Sequence, residues 1–465
     1  MSGLKKFLKS MITNTNQPSV RNNFSILINK KKKDDEDKSI KLKENEILMG
    51  FDSTDFDLNN EVVIDLNLAN YDNRGNVVEI KSRDITVIGV KGSGKSVTAS
   101  ILMEEMILKY KMHCLIIDPS GEFYKHKEEW LYDDNRYEYK ESIDNWEKGF
   151  GLTRQGLKIC VISPKILGEL DNVDIFYTMN FIEFIELFKR DSISAISILS
   201  EILGISESYS NIDFLYNVLT DKIISNTTTW NGFRKRLNEL RRTTNVEVIF
   251  NSINVKIRSG ILSDDEATHI NIIELFNTYD AVVFRGRQRK EENDDYLTKI
   301  YNAYIKMLLI RIENELEKIS NKVESGLVNK NTDDRYKGFL ILIDEADSFA
   351  PAKGISSLRE RIVQLATKDR KLLVNLILIT QSAGKLDETL FNQSDYIITS
   401  NLNEENASVF KRRMFEQEQI DLLVNMPLEA STSIGTKVSQ FAIIDNNRDI
   451  VKFFPRPPRS NFKRS

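Results

Sequence analysis

The 465-residue chain contains only two cysteines, Cys114 and Cys160. Two thiols make neither a disulfide framework nor a four-cysteine zinc site. Both lie in apolar runs and read as small core residues of a reducing compartment. An excess of one charge sign is also lacking: 65 Lys+Arg against 69 Asp+Glu leave a net charge of −4. That excludes a protein that coats nucleic acid by bulk positive charge, while a local basic channel stays open. No run of 18 apolar residues occurs, so no membrane-spanning helix is expected. The first twelve residues lack the apolar stretch of a secretory signal, and the expectation is a cytoplasmic chain. No internal repeat is seen. Core material is ample: 41% hydrophobic and 29% charged residues exclude a disordered or collagen-like chain. The length allows about three domains, or one large domain with insertions.

Residues 1–48 differ from the rest. Leu4, Phe7, Leu8, Met11 and Ile12 fall at helical spacing, with Lys5, Lys6 and Lys9 between them. A short basic amphipathic helix of this kind lies on a membrane or a partner; the plainer reading is a terminal helix that frays or packs on its own domain. A lysine block at 30–33 followed by an acidic block at 34–37 reads as a solvated linker or flexible arm. Residues 49–83 alternate as strands do and predict a short N-terminal β region.

From residue 84 onward, apolar runs at 85–90, 114–118, 158–163, 281–284, 339–344, 373–381 and 395–399 alternate with helical patterns. Short strands, apolar on both faces and separated by helices, predict an α/β fold with a mainly parallel sheet covered on both sides. Residues 84–164 and 273–457 make up this core. Residues 165–272 lack comparable strands and read as a helical insertion subdomain. Helical patterning resumes at 294–319, and the polar stretch 320–336 reads as a loop. The Pro- and Arg-rich end from Phe453 reads as extended, with 458–465 as a C-terminal tail.

The strongest local feature is Gly89-Val90-Lys91-Gly92-Ser93-Gly94-Lys95-Ser96, which fits G-x-x-x-x-G-K-[ST]. It follows an apolar strand and opens an amphipathic helix beginning with Val97, the context that the motif needs. Glycines let the backbone curl so that N–H groups converge on phosphate oxygens, and the helix N-terminus adds partial positive charge. Lys95 suits the β- and γ-phosphates of ATP, and Ser96 suits Mg²⁺. A Gly-rich turn that binds nothing is the bland alternative.

Three further strand ends carry polar groups. Phe339-Leu-Ile-Leu-Ile ends in Asp344 and Glu345. Ligands of open α/β sheets bind beside such ends. Asp344 suits a Mg²⁺ partner, and Glu345 suits the base that polarises an attacking water. Gln381 closes the run 373–381 and falls beside the γ-phosphate if its strand neighbours that of Asp344; a capping amide is the alternative. Asp118 and Glu122, around Pro119 and Gly121, either support the water or metal or are turn residues.

Taken together, these residues resemble the HerA-like branch of the HerA/FtsK superfamily of ring ATPases. The likeness rests on Ile116-Ile-Asp-Pro-Ser-Gly-Glu-Phe123, Asp344-Glu-Ala-Asp-Ser-Phe-Ala-Pro351, Lys368-Asp-Arg-Lys371 and Gln381-Ser-Ala-Gly-Lys-Leu-Asp387. It implies a RecA-like P-loop NTPase core of the ASCE type and a homohexamer with ATP between subunits. It also implies that Arg370 of a neighbour faces the γ-phosphate. Departures are Asp347 where the family often has His, Asp369 where Gly is usual, and Ser382-Ala383 where Arg-Pro is common. The N-terminal β region is short for the barrel on which a nuclease partner docks.

The implied function is an ATP-driven motor that translocates double-stranded DNA, with Lys353 as a pore-loop contact to phosphates. The alternative is an assembly ATPase whose ring gates a nuclease or other effector protein without processive translocation. A small-molecule kinase shares the phosphate loop but has no need of the Asp-Glu strand, Arg370 and Gln381 together.

Overall fold

The apolar runs form the strands expected of them, and their alternation sets the two faces of one sheet. The computed structural model describes residues 26–30, 46–53, 60–66, 68–71, 77–127, 155–168, 170–205, 209–220, 227–239, 244–265, 270–286, 295–325, 338–354, 356–367, 372–413, 415–427, 429–431, 437–456 and 458–459. The first strands are β1 (Ile26–Lys30), β2 (Glu46–Asp52), β3 (Asn60–Asp65), β4 (Ala69–Tyr71) and β5 (Val77–Ile80). Next come β6 (Asp84–Ile88), β7 (His113–Asp118), β8 (Ile159–Pro164), β9 (Ile175–Tyr177), β10 (Met179–Asn180), β11 (Leu262–Ser263) and β12 (Ala281–Arg285). The last are β13 (Phe339–Ile343), β14 (Val374–Thr380), β15 (Tyr396–Thr399), β16 (Glu429–Ser431), β17 (Lys437–Ser439), β18 (Phe441–Asp445) and β19 (Ile450–Pro455).

A 13-stranded sheet runs in the order β1-β3-β2-β19-β18-β15-β6-β14-β13-β7-β12-β8-β9. From β15 to β9 every neighbouring pair is parallel. Alternate residues of these strands enter opposite cores, as strand geometry requires. Ile341, Ile343, Leu376 and Leu378 face one core, with the helices Ser192–Leu203 and Asp295–Glu324. Leu340, Leu342, Ile377 and Ile379 face the other, with the helix Lys95–Leu108 and the N-terminal strands. Both cysteines are free and buried, Cys114 on one face and Cys160 on the other.

A buried polar group in such a sheet needs partners, and Asn375 has them: it accepts from Arg83 N and donates to Phe339 O and Leu373 O at 2.8–3.3 Å. The insertion is chiefly helical (Phe181–Arg190, Ser192–Leu203, Tyr209–Thr220, Trp230–Glu239, Thr244–Arg258), as its periodicity predicts, and adds β9 to the sheet edge. Tyr177 donates to Glu183 at 2.8 Å, and Arg311 pairs with the same carboxylate at 3.1 Å, tying the insertion to the long helix.

Two expectations need correction. The segment read as a flexible arm contains β1, which pairs antiparallel with β3; residues 1–25 and 31–45, including the basic helix pattern, lie outside the described residues. The N-terminal β region continues the main sheet, because β2 pairs with β19. Where these strands meet, a Cβ on Gly50 would fall 1.9 Å from Phe454 O, so only glycine permits that approach. The helix Asp295–Glu324 runs into the stretch read as a loop; Phe453 to Pro455, read as extended, form the end of strand β19. Among the described residues no helix is long and apolar enough to cross a membrane.

Candidate nucleotide site

The phosphate loop leaves β6 at Gly89, whose N–H donates to Thr380 O at 3.3 Å. Gly92 and Gly94 take φ of +87° and +91°, which side-chain-bearing residues rarely adopt. The loop closes with Ser93 N donating to Val90 O at 3.2 Å. The helix then starts at Lys95 with no side-chain cap and no acidic residue in its first turn. Its first N–H groups and its partial positive charge are therefore left for an anion. Lys91 and Gly92 are exposed, Val90 and Val97 half-buried, and Ser93, Lys95 and Ser96 buried. Lys95 Nζ donates to Val90 O at 3.0 Å, so the ammonium lies folded over the loop.

β14 pairs with β6 on one side and β13 on the other, which brings Gln381 between the phosphate loop and the Asp344–Glu345 end. Gln381 and Glu345 are both exposed, whereas Asp344 is buried. Glu345 sits at φ 50°, ψ 44°, the left-handed region, and caps the short helix Ala346–Phe349. Burial, with Asp118 and Glu345 nearby, pushes the Asp344 carboxyl up to about 7. Glu345 N and Ser120 Oγ donate to its two oxygens at 3.0 and 3.2 Å.

A family model described as the central domain of helicase HerA matches residues 74–428. The chain belongs to this family. It is a P-loop ATPase of the HerA/FtsK type. No curated protein matches it. Among solved structures it is similar to VirB4 of Thermoanaerobacter pseudethanolicus, with TM-score 0.51 and 13% identity over 88% of this chain and 96% of that one. That likeness is one of fold. The bacterial conjugative coupling protein TrwB matches with TM-score 0.48 and 11% identity, over 82% of this chain and 87% of that one. The genome packaging NTPase B204 of Sulfolobus turreted icosahedral virus 2 matches with TM-score 0.34 and 12% identity, over 81% and 97%.

The stretch matching the HerA central domain contains every strand end just described, while β1 to β4 and β16 to β19 lie outside it. Next to Asp344, Asp118 is fully buried and organises its own turn. It accepts from Gly121 N, Glu122 N and Phe123 N at 2.8–3.1 Å and from Ser120 Oγ at 3.1 Å. Its carboxyl is raised by burial, against the pull of these donors. The geometry thus favours the turn reading of Asp118, and Glu122 lies half-buried in the same turn. Arg370, with residues 368–371, lies outside the described residues. Lys353 is exposed in the loop after β13.

Residues that sequence reasoning missed are Ser120, which bridges Asp118 and Asp344, and Thr380, whose only sequence signal is its place just before Gln381. His126 is a third. It is fully buried, and its Nε2 lies 3.0 Å from Ser100 Oγ on the phosphate-loop helix. Burial pushes the His126 imidazole down to about 3.

Proposed function

We propose that this chain is the motor subunit of a homohexameric ring that translocates double-stranded DNA at the expense of ATP. What supports this most is the order of strands β6-β14-β13, which brings the phosphate loop, Gln381 and the Asp344–Glu345 pair to the C-terminal ends of three adjacent central strands. The residues suit the nucleotide: an uncapped helix N-terminus, two glycines at positive φ, and a lysine that donates to a loop carbonyl which phosphate oxygens would replace. The backbone from Gly89 to Val97 cradles the phosphates, and Lys95 turns to the β- and γ-phosphates.

The donors also suit Mg²⁺. Ser96 hydroxyl and Asp344 carboxylate are hard oxygen ligands, and the remaining positions fall to phosphate and water. Among the described residues no group of three or more His, Cys, Asp or Glu forms a self-sufficient metal cage. Bound Mg²⁺ would neutralise charge on the phosphates. Glu345, exposed beside Asp344, takes the proton of the attacking water, and Gln381 orients that water beside the γ-phosphate. Arg370 of the neighbouring subunit supplies a guanidinium fork to the transferring phosphoryl group. Six copies of Lys353 would line a positive channel despite the net charge of −4.

The test is the ATPase rate of the purified chain with and without linear double-stranded DNA, alongside its mass in solution. A hexamer stimulated several-fold by DNA is expected. A hexamer whose turnover ignores DNA would overturn the motor reading in favour of a ring that gates a nuclease or other effector protein. Absence of turnover under both conditions would overturn the autonomous motor.

A further inference from the structure

Thr380 makes three contacts that converge on the proposed hydrolysis site. Its carbonyl accepts Gly89 N–H, the first glycine of the phosphate loop, at 3.3 Å. Its hydroxyl accepts Ser382 N–H at 3.1 Å, closing the turn that displays Gln381. The hydroxyl proton has two acceptors within reach, Asp347 Oδ1 at 2.7 Å and Ser382 O at 3.1 Å, and the shorter contact is the one to the carboxylate. Asp347 lies two residues past Glu345, in the first turn of the helix that Glu345 caps.

Glu345 needs such a restraint. A side-chain-bearing residue in the left-handed region is held at a cost of order 1 kcal/mol and persists only where its surroundings fix it. Ser348 N donates to Glu345 O at 2.8 Å, but that bond lies within the same turn. The bond to Thr380 reaches across from β14. Further out, the two loops stay joined: Ala352 N donates to Lys385 O at 2.7 Å, Asp387 N donates to Ala350 O at 2.9 Å, and Pro351 bridges Leu386.

We propose that Asp347 and Thr380 are positioning residues whose hydrogen bond sets Glu345 and Gln381 at fixed places against the phosphate loop. This rests on the ATPase reading of the site. Asp347 stands where the resemblance leads one to expect His, so the pairing belongs to this chain's own residues. Losing the bond frees Glu345 and Gln381 without touching the phosphate cradle. Chemistry then suffers while nucleotide affinity does not.

The experiment uses the full chain and the variants Thr380→Val, Thr380→Ser, Asp347→Ala and the double variant Thr380→Val/Asp347→Ala. Steady-state ATP hydrolysis, binding of a fluorescent ATP analogue and hydrogen exchange of the nucleotide-free protein are measured. The expected result is a kcat about 10- to 100-fold lower in Thr380→Val and Asp347→Ala. KM and analogue affinity stay within about twofold of the parent, since the loop is intact. Thr380→Ser, which keeps the hydroxyl, retains parental turnover. The double variant loses no more than Thr380→Val, because the bond to Asp347 can be lost only once and Thr380→Val already gives it up together with the bond from Ser382 N. Amides of residues 345–350 and 381–387 lose protection together in both single variants.

Unchanged kcat in either single variant, multiplying losses in the double, or undiminished protection of the two segments would overturn the proposal. Should Thr380→Val fail to fold, half-buried Asp347 supplies the same test through Asp347→Ala. Failure of the ATPase reading looks different: the parent chain would show no turnover for Glu345→Gln to abolish. Hydrogen exchange would still report on the bond.

Discussion

Arg456 Nη2 lies 2.7 Å from Glu105 Oε1, a pair made between a Pro-rich segment at the end of the chain and the phosphate-loop helix. The same guanidinium reaches Glu104 at 3.2 Å and donates through Nε to Leu48 O of β2 at 2.8 Å. Arg459 adds a second contact to Glu105 at 2.9 Å. One buried cation thus joins the helix, the N-terminal strands and the segment after β19.

Removing a single partner of a buried ion pair costs about 3–5 kcal/mol, because the other charge is left unpaired in a poor solvent. Arg456→Ala leaves Glu105 with Arg459 as its cation and takes from Glu104 the guanidinium that reaches it, leaving the backbone N–H of Arg459 as a donor to it. Denaturant unfolding should show a loss of this size, with nucleotide affinity falling as the helix loosens. A loss below about 1 kcal/mol would mean that the carboxylates are readily rehydrated.

The parallel core was legible because its strands are apolar on both faces and its phosphate loop carries glycines at fixed spacing. Phe441–Asp445 carries the same apolar signal, yet it is absent from the runs read as strands. The joining of β2 to β19 was not, since Phe454 meets Phe51 across most of the chain length and no local pattern encodes that pairing. Arg456 looks like a solvated tail residue until Glu104 and Glu105, some 350 positions away, are placed beside it. Glu345, Gln381 and Asp344 were legible as strand ends. Asp118 was not, because whether a carboxylate faces a ligand or its own turn depends on the fold of residues 119–123.

Lys95→Ala and Glu345→Gln should separate binding from turnover. Lys95 offers charge-assisted hydrogen bonds to phosphate, each of about 1.5–3 kcal/mol, so its loss should weaken ATP binding tenfold or more. Glu345→Gln keeps shape and hydrogen bonding but cannot take a proton. Affinity should hold while kcat falls by about 10²–10⁴. Equilibrium binding of a fluorescent ATP analogue and steady-state hydrolysis check both. Normal hydrolysis by Glu345→Gln would remove it as the base.

Arg370 is proposed to act on a neighbour's nucleotide, and mixing tests this directly. Lys95→Ala and Arg370→Ala rings should each be inactive alone. In randomly mixed rings, about a quarter of interfaces pair an intact phosphate loop with an intact arginine, so activity should return to roughly that fraction. A mixture as inactive as its components would place the arginine's action within its own subunit.

Two buried groups should shape the acid stability in opposite directions. Asp344 is held near 7 in the folded chain, against about 4 when unfolded, so between these values the folded state keeps a proton that the unfolded state releases. Stability from this group is present at low pH and declines as pH rises through the window, by about 1.4 kcal/mol per unit. His126 is held near 3, against about 6.5 unfolded, so the unfolded state binds the extra proton and stability declines as pH falls. Over roughly pH 4–6.5 the two slopes oppose each other and nearly cancel. Each single variant should expose the other group. In metal-free buffer, His126→Gln should lose stability as pH rises from 4.5 to 6.5, and Asp344→Asn should gain it over the same interval. Thermal scans at fixed ionic strength measure both trends. Parallel profiles for the two variants would show that neither group carries its proton difference into folding.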